Sequence, residues 1–322
     1  MANHKYPKQV EEYIKTRLES IENVMALARE VKLNFNLDNS VESIRYKIKT
    51  IKDDLQVERH KKGYKRLFFD IETSYLLCRL WRVGKVNWVS HDQIVQDKKI
   101  ICISYKWEGE NKIHTLIWDK RQNDKKLIKE FIKVLGQADE IIAHNGDRFD
   151  IKEIRTRAIK EGLLMFPRYR TLDTLKKSRK YFNFHSNKLD YLGEYLEVGR
   201  KQEHDGFQLW IDVVEGKNKE RLEEMVRYCE QDVILLEDVF SVLSPYIDHN
   251  TNFAIVSGGE KYHCPNCASK NTKLSHTDTT PMGYIKRNMK CLDCRKQFTI
   301  SNKSYVNYLK DQYKSGSKKE NN

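Results

Sequence analysis

Four cysteines constrain this chain more than any other feature. Cys264-Pro-Asn-Cys267 and Cys291-Leu-Asp-Cys294 are two CxxC pairs separated by 23 residues, the spacing of a tetrathiolate site for one structural Zn²⁺. The segment around them is short and polar, so bound metal rather than a core is expected to supply most of its folding energy. Cys78, Cys102 and Cys229 sit in apolar or helical stretches and read as small buried side chains. An odd total of seven cysteines argues against a disulfide framework.

The charge pattern implies a polyanionic partner. The net charge is +13, and residues 258–322 alone hold 13 basic against 5 acidic side chains, whereas residues 1–62 hold 13 against 10. Lys273, Lys286, Arg287, Lys290, Arg295 and Lys296 are therefore expected to meet nucleic acid. A purely structural or protein-binding knuckle is the alternative. The chain has no apolar run near 18 residues and no apolar signal core in MANHKYPKQVEEY, so membrane association is not expected and a cytoplasmic location is.

Hydrophobic periodicity divides the rest of the chain. In residues 1–62, Val10, Ile14, Leu18, Ile21 and Met25 recur at three- and four-residue steps, and a further helix starts at a Ser40 cap. Beyond HKKGYK the pattern changes to short apolar runs, RLFFDIET, KKIICISYKW, KIHTLIWD and DEIIAHNG, which read as strands. Helical patterns are interleaved at 123–135, 148–161, 187–197 and 219–243. This alternation predicts a mixed sheet flanked by helices over residues 63–250, followed by the metal module at 258–302 and a basic, partly disordered tail at 303–322.

Three acidic elements lie in this middle region. Asp70 and Glu72 are two apart on a predicted strand, so both carboxylates leave the same face. Such a tripeptide is common, and a solvated strand edge is the ordinary explanation. In HNGDRFDIKEI an acid stands where a strand gives way to a helix, the place where open α/β sheets build sites. Asp147 there looks like the helix N-cap, whereas Asp150, in the first turn, is the better candidate to point across the sheet. Tyr228 and Asp232 are four apart on an apolar helix and share one face.

Taken together and in order, DIET with Asp70 and Glu72, the NxxxFD pattern from Asn145 to Asp150, and the YxxxD pair Tyr228 and Asp232 resemble the three exonuclease motifs of the DEDDy family. That family has a ribonuclease H-like fold and includes the proofreading domains of family B DNA polymerases. The resemblance spans about residues 64–247, and the SNKLDYLGEYL helix fits it. It implies that Asp70, Glu72, Asp150 and Asp232 hold two Mg²⁺ or Mn²⁺ ions, with Asp70 shared between them. It further implies that Tyr228 orients the attacking water, being a poor base at neutral pH with an ordinary pKa near 10. Thr73 and Asn145 are then supports for the terminal nucleotide, and Phe149 is either a third support or core. The cysteine module, closing with KCLDCRKQFTI, resembles zinc ribbons of transposases and other DNA-processing proteins.

Two further segments each carry two readings. In the stretch 74–97, Trp81 and Trp88 with Arg79, Arg82 and Lys85 suit a hairpin that stacks on single strands, or two indoles packing a hairpin onto the domain. The N-terminal helices resemble a helix-turn-helix whose Arg45, Lys47, Lys49 and Lys52 meet DNA, or a plain helical cap. The resulting expectation is a metal-dependent 3′ to 5′ exonuclease acting on DNA with a single-stranded 3′ end. It is expected to stand alone without a polymerase, in a phage-encoded setting by analogy. An RNA exonuclease of the same fold and a non-catalytic nucleic-acid-binding protein are the alternatives, since contacts to the 2′-hydroxyl are not legible in one sequence.

Overall fold

The computed structural model describes residues 6–18, 24–48, 50–51, 64–81, 84, 88–202 and 205–316. The chain divides into two compact units, Met1–Tyr64 with Val256–Gly258, and Lys65–Ile255 with Gly259–Asn322. In the first unit, helices α1 (Lys8–Leu18), α2 (Val24–Asn34) and α3 (41–48) bury Val10, Ile14, Leu27, Val31, Ile44 and Ile48 against one another. Ser40 caps α3 as expected, its hydroxyl accepting from Ser43 N at 3.1 Å. Arg45 pairs with Glu42 and Lys47 with Glu11, each at 2.6 Å, so both cations assigned to DNA are engaged by carboxylates. Lys49 and Lys52 are outside the described residues.

The second unit is built on a five-stranded mixed sheet in the order β5-β4-β1-β6-β7. It comprises β1 (Arg66–Thr73), β4 (Ile100–Trp107), β5 (Ile113–Ile117), β6 (Glu140–Ala143) and β7 (Thr171–Asp173). A small separate pair, β2 (Leu77–Cys78) and β3 (Ile94–Gln96), forms the base of the tryptophan hairpin. β1, β4 and β5 pair antiparallel, whereas β1, β6 and β7 run parallel. The four strands read from apolar runs are all present; β7 was not foreseen, because three residues are too few to show a period.

Helices cover both faces of the sheet. On one face Leu67, Phe69 and Ile71 pack with α4 (Lys125–Gln137) and α5 (Asp150–Lys160). On the other Phe68 meets Val233, Leu236 and Phe240 of α9 (Lys219–Leu243), together with α7 (Leu189–Tyr195). Helices α6 (Thr174–Tyr181) and α8 (Phe207–Val214) complete the layer. Alternation along β1 thus aims Phe68, Asp70 and Glu72 to the α9 side. Arg157 of α5 grips Asp124 with two bonds of 2.7 Å, and Asp124 also accepts from Ile100 N at 3.0 Å, which fixes α5 against β4.

After a one-turn helix α10 (Phe253–Val256), the chain forms a three-stranded antiparallel sheet of β8 (Thr272–Thr279), β9 (Ile285–Cys291) and β10 (Gln297–Ser301). The expected basic tail is largely a helix, α11 (Asn302–Gly316), whose Tyr305 and Tyr308 cover Tyr262, Met289 and Ile300. Residues 317–322, expected to be disordered, are outside the described residues. Among the described residues no helix is long and apolar enough to cross a membrane.

Candidate active site and cysteine centre

The carboxylates that were far apart in sequence meet where β1 crosses α9. Carboxylate oxygens of Asp70, Glu72 and Asp232 lie within 4.8 Å of one another. Asp232 Oδ1 is buried without a hydrogen-bond partner, which is costly unless something positive completes it. Hard oxygen donors converging on an orphaned carboxylate oxygen suit a divalent cation such as Mg²⁺ or Mn²⁺. Asp150 stands outside this trio but beside Asp70, at the start of α5, and is itself buried.

Electrostatics express the crowding. Burial, then the charges of Asp150, Asp232 and Glu72, push the Asp70 carboxyl well above the usual range. Burial and then Asp232 raise Glu72 to about 8. Burial also raises Asp150 to about 7, against the restraining effect of backbone donors at Ile71 and at Asp150 itself. Four acids that resist ionising together form a site that gains by taking up cations. Tyr228, one turn before Asp232, is raised to about 12 by burial and by Asp232, so it remains a phenol at neutral pH.

A cation from the chain itself is already in the cluster. Lys201 Nζ donates to Asp232 Oδ2 at 2.5 Å and to Tyr228 Oη at 3.1 Å. Burial pulls its ammonium down, but Asp232 more than offsets this, and the balance is upward. Its backbone is fixed by Asp190 of α7, which accepts from Lys201 N at 2.9 Å. Nothing in the sequence pattern marks Lys201, which belongs to the loop between α7 and α8. Trp210 of α8 was also missed: its indole donates to Thr73 O at 3.1 Å and stands edge-on to Tyr228 at 6.5 Å.

The turn that delivers Asp150 differs from the one expected. Phe149, not Asp147, is the N-cap of α5 and supplies no side-chain bond; Asp147 instead pairs with Lys176 at 2.8 Å. Residues 145–149 form a turn before the helix, so the cap position falls two residues later than the sequence suggested. Asn145 adopts φ 68°, a conformation Asn tolerates better than most residues, and its N–H donates to Asp173 Oδ1 at 3.0 Å. A Cβ on Gly146 would come within 2.3 Å of Ala143 Cβ, so only glycine fits there. Asp173 is buried at the end of β7, where it also caps α6 through Lys176 N. Phe149 is partly buried against the core with Lys98 above its ring.

Trp81 is 97% exposed and Trp88 77%, which excludes the expectation that the two indoles pack the hairpin onto the domain. Arg79 N donates to Gln93 O at 2.9 Å across the hairpin base, and Arg82 and Lys85 are outside the described residues.

The four expected zinc ligands form one cluster. Sulfurs of Cys264 and Cys294 are 3.4 Å apart and those of Cys267 and Cys291 3.7 Å. Four thiolates at about 2.3 Å from a central Zn²⁺ would lie roughly 3.8 Å from one another, so the set fits a tetrahedral ion. Each knuckle turns on a residue of positive φ immediately after its second cysteine, Ala268 at 58° and Arg295 at 64°. Lys286 is exposed on β9. Arg287 is not a free surface cation, since it stacks on Tyr305 and bonds Asn302 and Thr277. Lys296, expected at a nucleic-acid surface, is buried, with its ammonium on the Ile247 carbonyl at 2.6 Å.

No curated protein matches the chain. A solved family B DNA polymerase from the hyperthermophilic archaeon Pyrobaculum calidifontis is similar over 70% of this chain and 32% of its own, at 14% identity and a TM-score of 0.45; the chain thus covers about a third of that protein's length. Residues 92–244, which include Asp150, Tyr228 and Asp232 but not β1, match a family model described as RNase_H superfamily, and the mixed sheet with its flanking helices is an RNase H-like fold.

Proposed function

We propose that this chain is a divalent-metal-dependent 3′ to 5′ exonuclease acting on DNA. The observation that carries the reading is the convergence of Asp70, Glu72 and Asp232 around an orphaned carboxylate oxygen, with Tyr228 one helical turn away and Asp150 alongside. The order of the motifs, with tyrosine rather than histidine before the last acid, favours the exonuclease assignment among nucleases of this fold. Asp70, Glu72 and Asp232 would hold one ion, and Asp150 with Asp70 a second. Two such ions neutralise the charge that develops on attacking and leaving oxygens during phosphodiester hydrolysis.

The chain's own groups account for the remainder. Tyr228, un-ionised and tied to Lys201, orients the water by hydrogen bonding rather than taking its proton. Lys201 balances the buried negative charge and offers an ammonium to a phosphate oxygen. Thr73 and Asn145 border the site from β1 and the β6–α5 turn, and exposed Trp81 and Trp88 suit stacking on a single strand. Exposed Lys273, Lys286 and Arg295 leave the ribbon a basic surface for phosphates.

A time course on matched DNA and RNA oligonucleotides, labelled at either end and offered as single and double strands with Mg²⁺ or Mn²⁺, tests the proposal. Stepwise loss from the 3′ end of DNA is expected, and Asp70→Ala should abolish it. Metal-dependent cleavage that survives in Asp70→Ala would refute the assignment, and preference for RNA would move the substrate class.

A further inference from the structure

The cysteine knuckle is bonded into the two elements that carry the catalytic carboxylates. Arg66 opens β1 four residues before Asp70, and Ser244 directly follows α9. Both reach Asn266, which lies between the first two cysteines and is buried. Ser244 Oγ donates to Asn266 Oδ1 at 2.7 Å, and Arg66 Nη2 donates to the Asn266 carbonyl at 3.3 Å. Asn266 Nδ2 is directed at Cys294 Sγ, 3.6 Å away. One side chain therefore joins a ligand sulfur to the end of α9, while its backbone joins the start of β1.

Further contacts close the junction. Phe253 N donates to Pro265 O at 2.8 Å, and Lys296 spans to Ile247 O. The Arg66 guanidinium lies over Phe240 and Phe253 and bonds Glu140 and Glu108, each at 2.9 Å. A tether on a loose joint would leave such charged groups in water; here both are buried, Lys296 bonding a carbonyl of the opposite module and Arg66 adding a contact to the Asn266 carbonyl to its own two ion pairs.

We propose that Asn266 is a positioning residue through which metal at the four thiolates holds β1 and α9 in place, so that the carboxylate site depends on a metal site remote from it. The small apolar cluster of Tyr262, Met289 and Ile300 leaves the knuckle reliant on bound metal for its fold. Loss of the knuckle takes the Asn266 contact from the Ser244 hydroxyl, which keeps the longer one to His249 at 3.2 Å, and from Arg66 Nη2, at the ends of a helix and a strand. Those elements are stiff: about 13 Å of strand separates Arg66 from Asp70 and about 18 Å of helix separates Asp232 from Ser244. A cleft of about 350 Å³ lined by Arg66, Phe253, Asn266, Cys267 and Cys294 gives solvent and small chelators a way to two of the sulfurs.

The positioning role rests on the nuclease reading, but the coupling itself is read by hydrogen exchange without reference to activity. Full-length zinc-loaded protein is treated with a pyridyl chelator that prefers Zn²⁺ to Mg²⁺, and exchange is followed in peptides covering 66–73 and 232–244. Protection there should fall about tenfold or more, the scale of one buried hydrogen bond. Asn266→Ala with its zinc retained, and separately Ser244→Ala, should each produce part of that loss and lower kcat on a short oligonucleotide with KM unchanged, whereas Ser244→Thr, which keeps the hydroxyl, should behave as the parent. If metal removal unfolds only residues 259–301 and leaves both peptides protected, the ribbon is a separable appendage and the inference fails. If exchange shows the coupling but no form cleaves nucleic acid, the proposed function fails and the coupling stands.

Discussion

Replacing Lys201 by Met removes the cation bonded to Asp232 while keeping the length of the side chain. The Asp232 side chain is 3% exposed and that of Lys201 30%. Breaking a buried pair costs about 3–5 kcal/mol, and partial screening of the ammonium lowers this to about 2–3 kcal/mol. For a unit of this size that is a fall in Tm of about 5–10 °C. The loss should depend on pH in a fixed direction. Burial and its acidic neighbours lift Glu72 to about 8 and raise Asp70 and Asp232. Groups raised on folding stabilise the fold fully below their unfolded pKa values, and that contribution is lost as pH rises through the folded ones. At pH 5 Glu72 is protonated and the cluster carries less negative charge; as the pH rises through about 8 Glu72 ionises and Lys201 is most needed. Calorimetry of zinc-loaded protein without Mg²⁺ should therefore show a small deficit for Lys201→Met at pH 5 and the full one at pH 8.5, with excess Mg²⁺ restoring stability at the higher pH. An equal deficit at both pH values would show that Lys201 acts only through packing of its stem.

Other substitutions separate the remaining roles. Asp150→Asn should lower the hydrolysis rate by orders of magnitude, whereas Asp147→Asn breaks only a surface pair with Lys176, costing below about 1 kcal/mol; the reverse ranking in steady-state assays would show that the wrong acid has been assigned. Gly146→Ala should destabilise by about 1–3 kcal/mol and cut the rate by about a hundredfold, because its methyl would collide with Ala143 and displace the turn carrying Asp150; unchanged kinetics would refute this. Trp81→Ala with Trp88→Ala should weaken single-strand binding by about 1–3 kcal/mol per lost stack without changing Tm, since both rings are exposed; titration of a labelled oligonucleotide measures it, and unaltered affinity would remove the hairpin from the substrate path.

The parts of the fold that were legible are those that repeat a period. Alternation in RLFFDIET set β1 with its acids on one face, and the 25 residues of α9 carried an apolar stripe long enough to read with Tyr228 and Asp232 in phase. Short elements lack that signal. β7 has three residues, yet its Asp173 holds the Asn145 turn and the start of α6. The misplacement of the α5 cap has the same origin, because a turn of several residues between β6 and α5 shifts the cap without altering composition. Charge counts misled at Lys296 for a different reason: a sum of lysines weights a buried side chain bonded to Ile247 O the same as an exposed one.

Lys201 marks the boundary of what such reading reaches. Four clustered carboxylates carry raised pKa values before any ion binds, a conclusion that requires only their proximity. The same premise requires a compensating positive group, because an unpaired buried charge is among the most expensive features a fold can contain. The chain has 59 lysines and arginines, and neither spacing nor periodicity says which one enters the site. That choice is made by tertiary structure: α7 places Asp190 where it bonds Lys201 N, and the loop then directs the ammonium between Asp232 and Tyr228. The need for a cation follows from the motif, whereas its identity follows from a hydrogen bond between a helix and a loop. This division explains why the acids could be named from sequence while the residue that neutralises them could not.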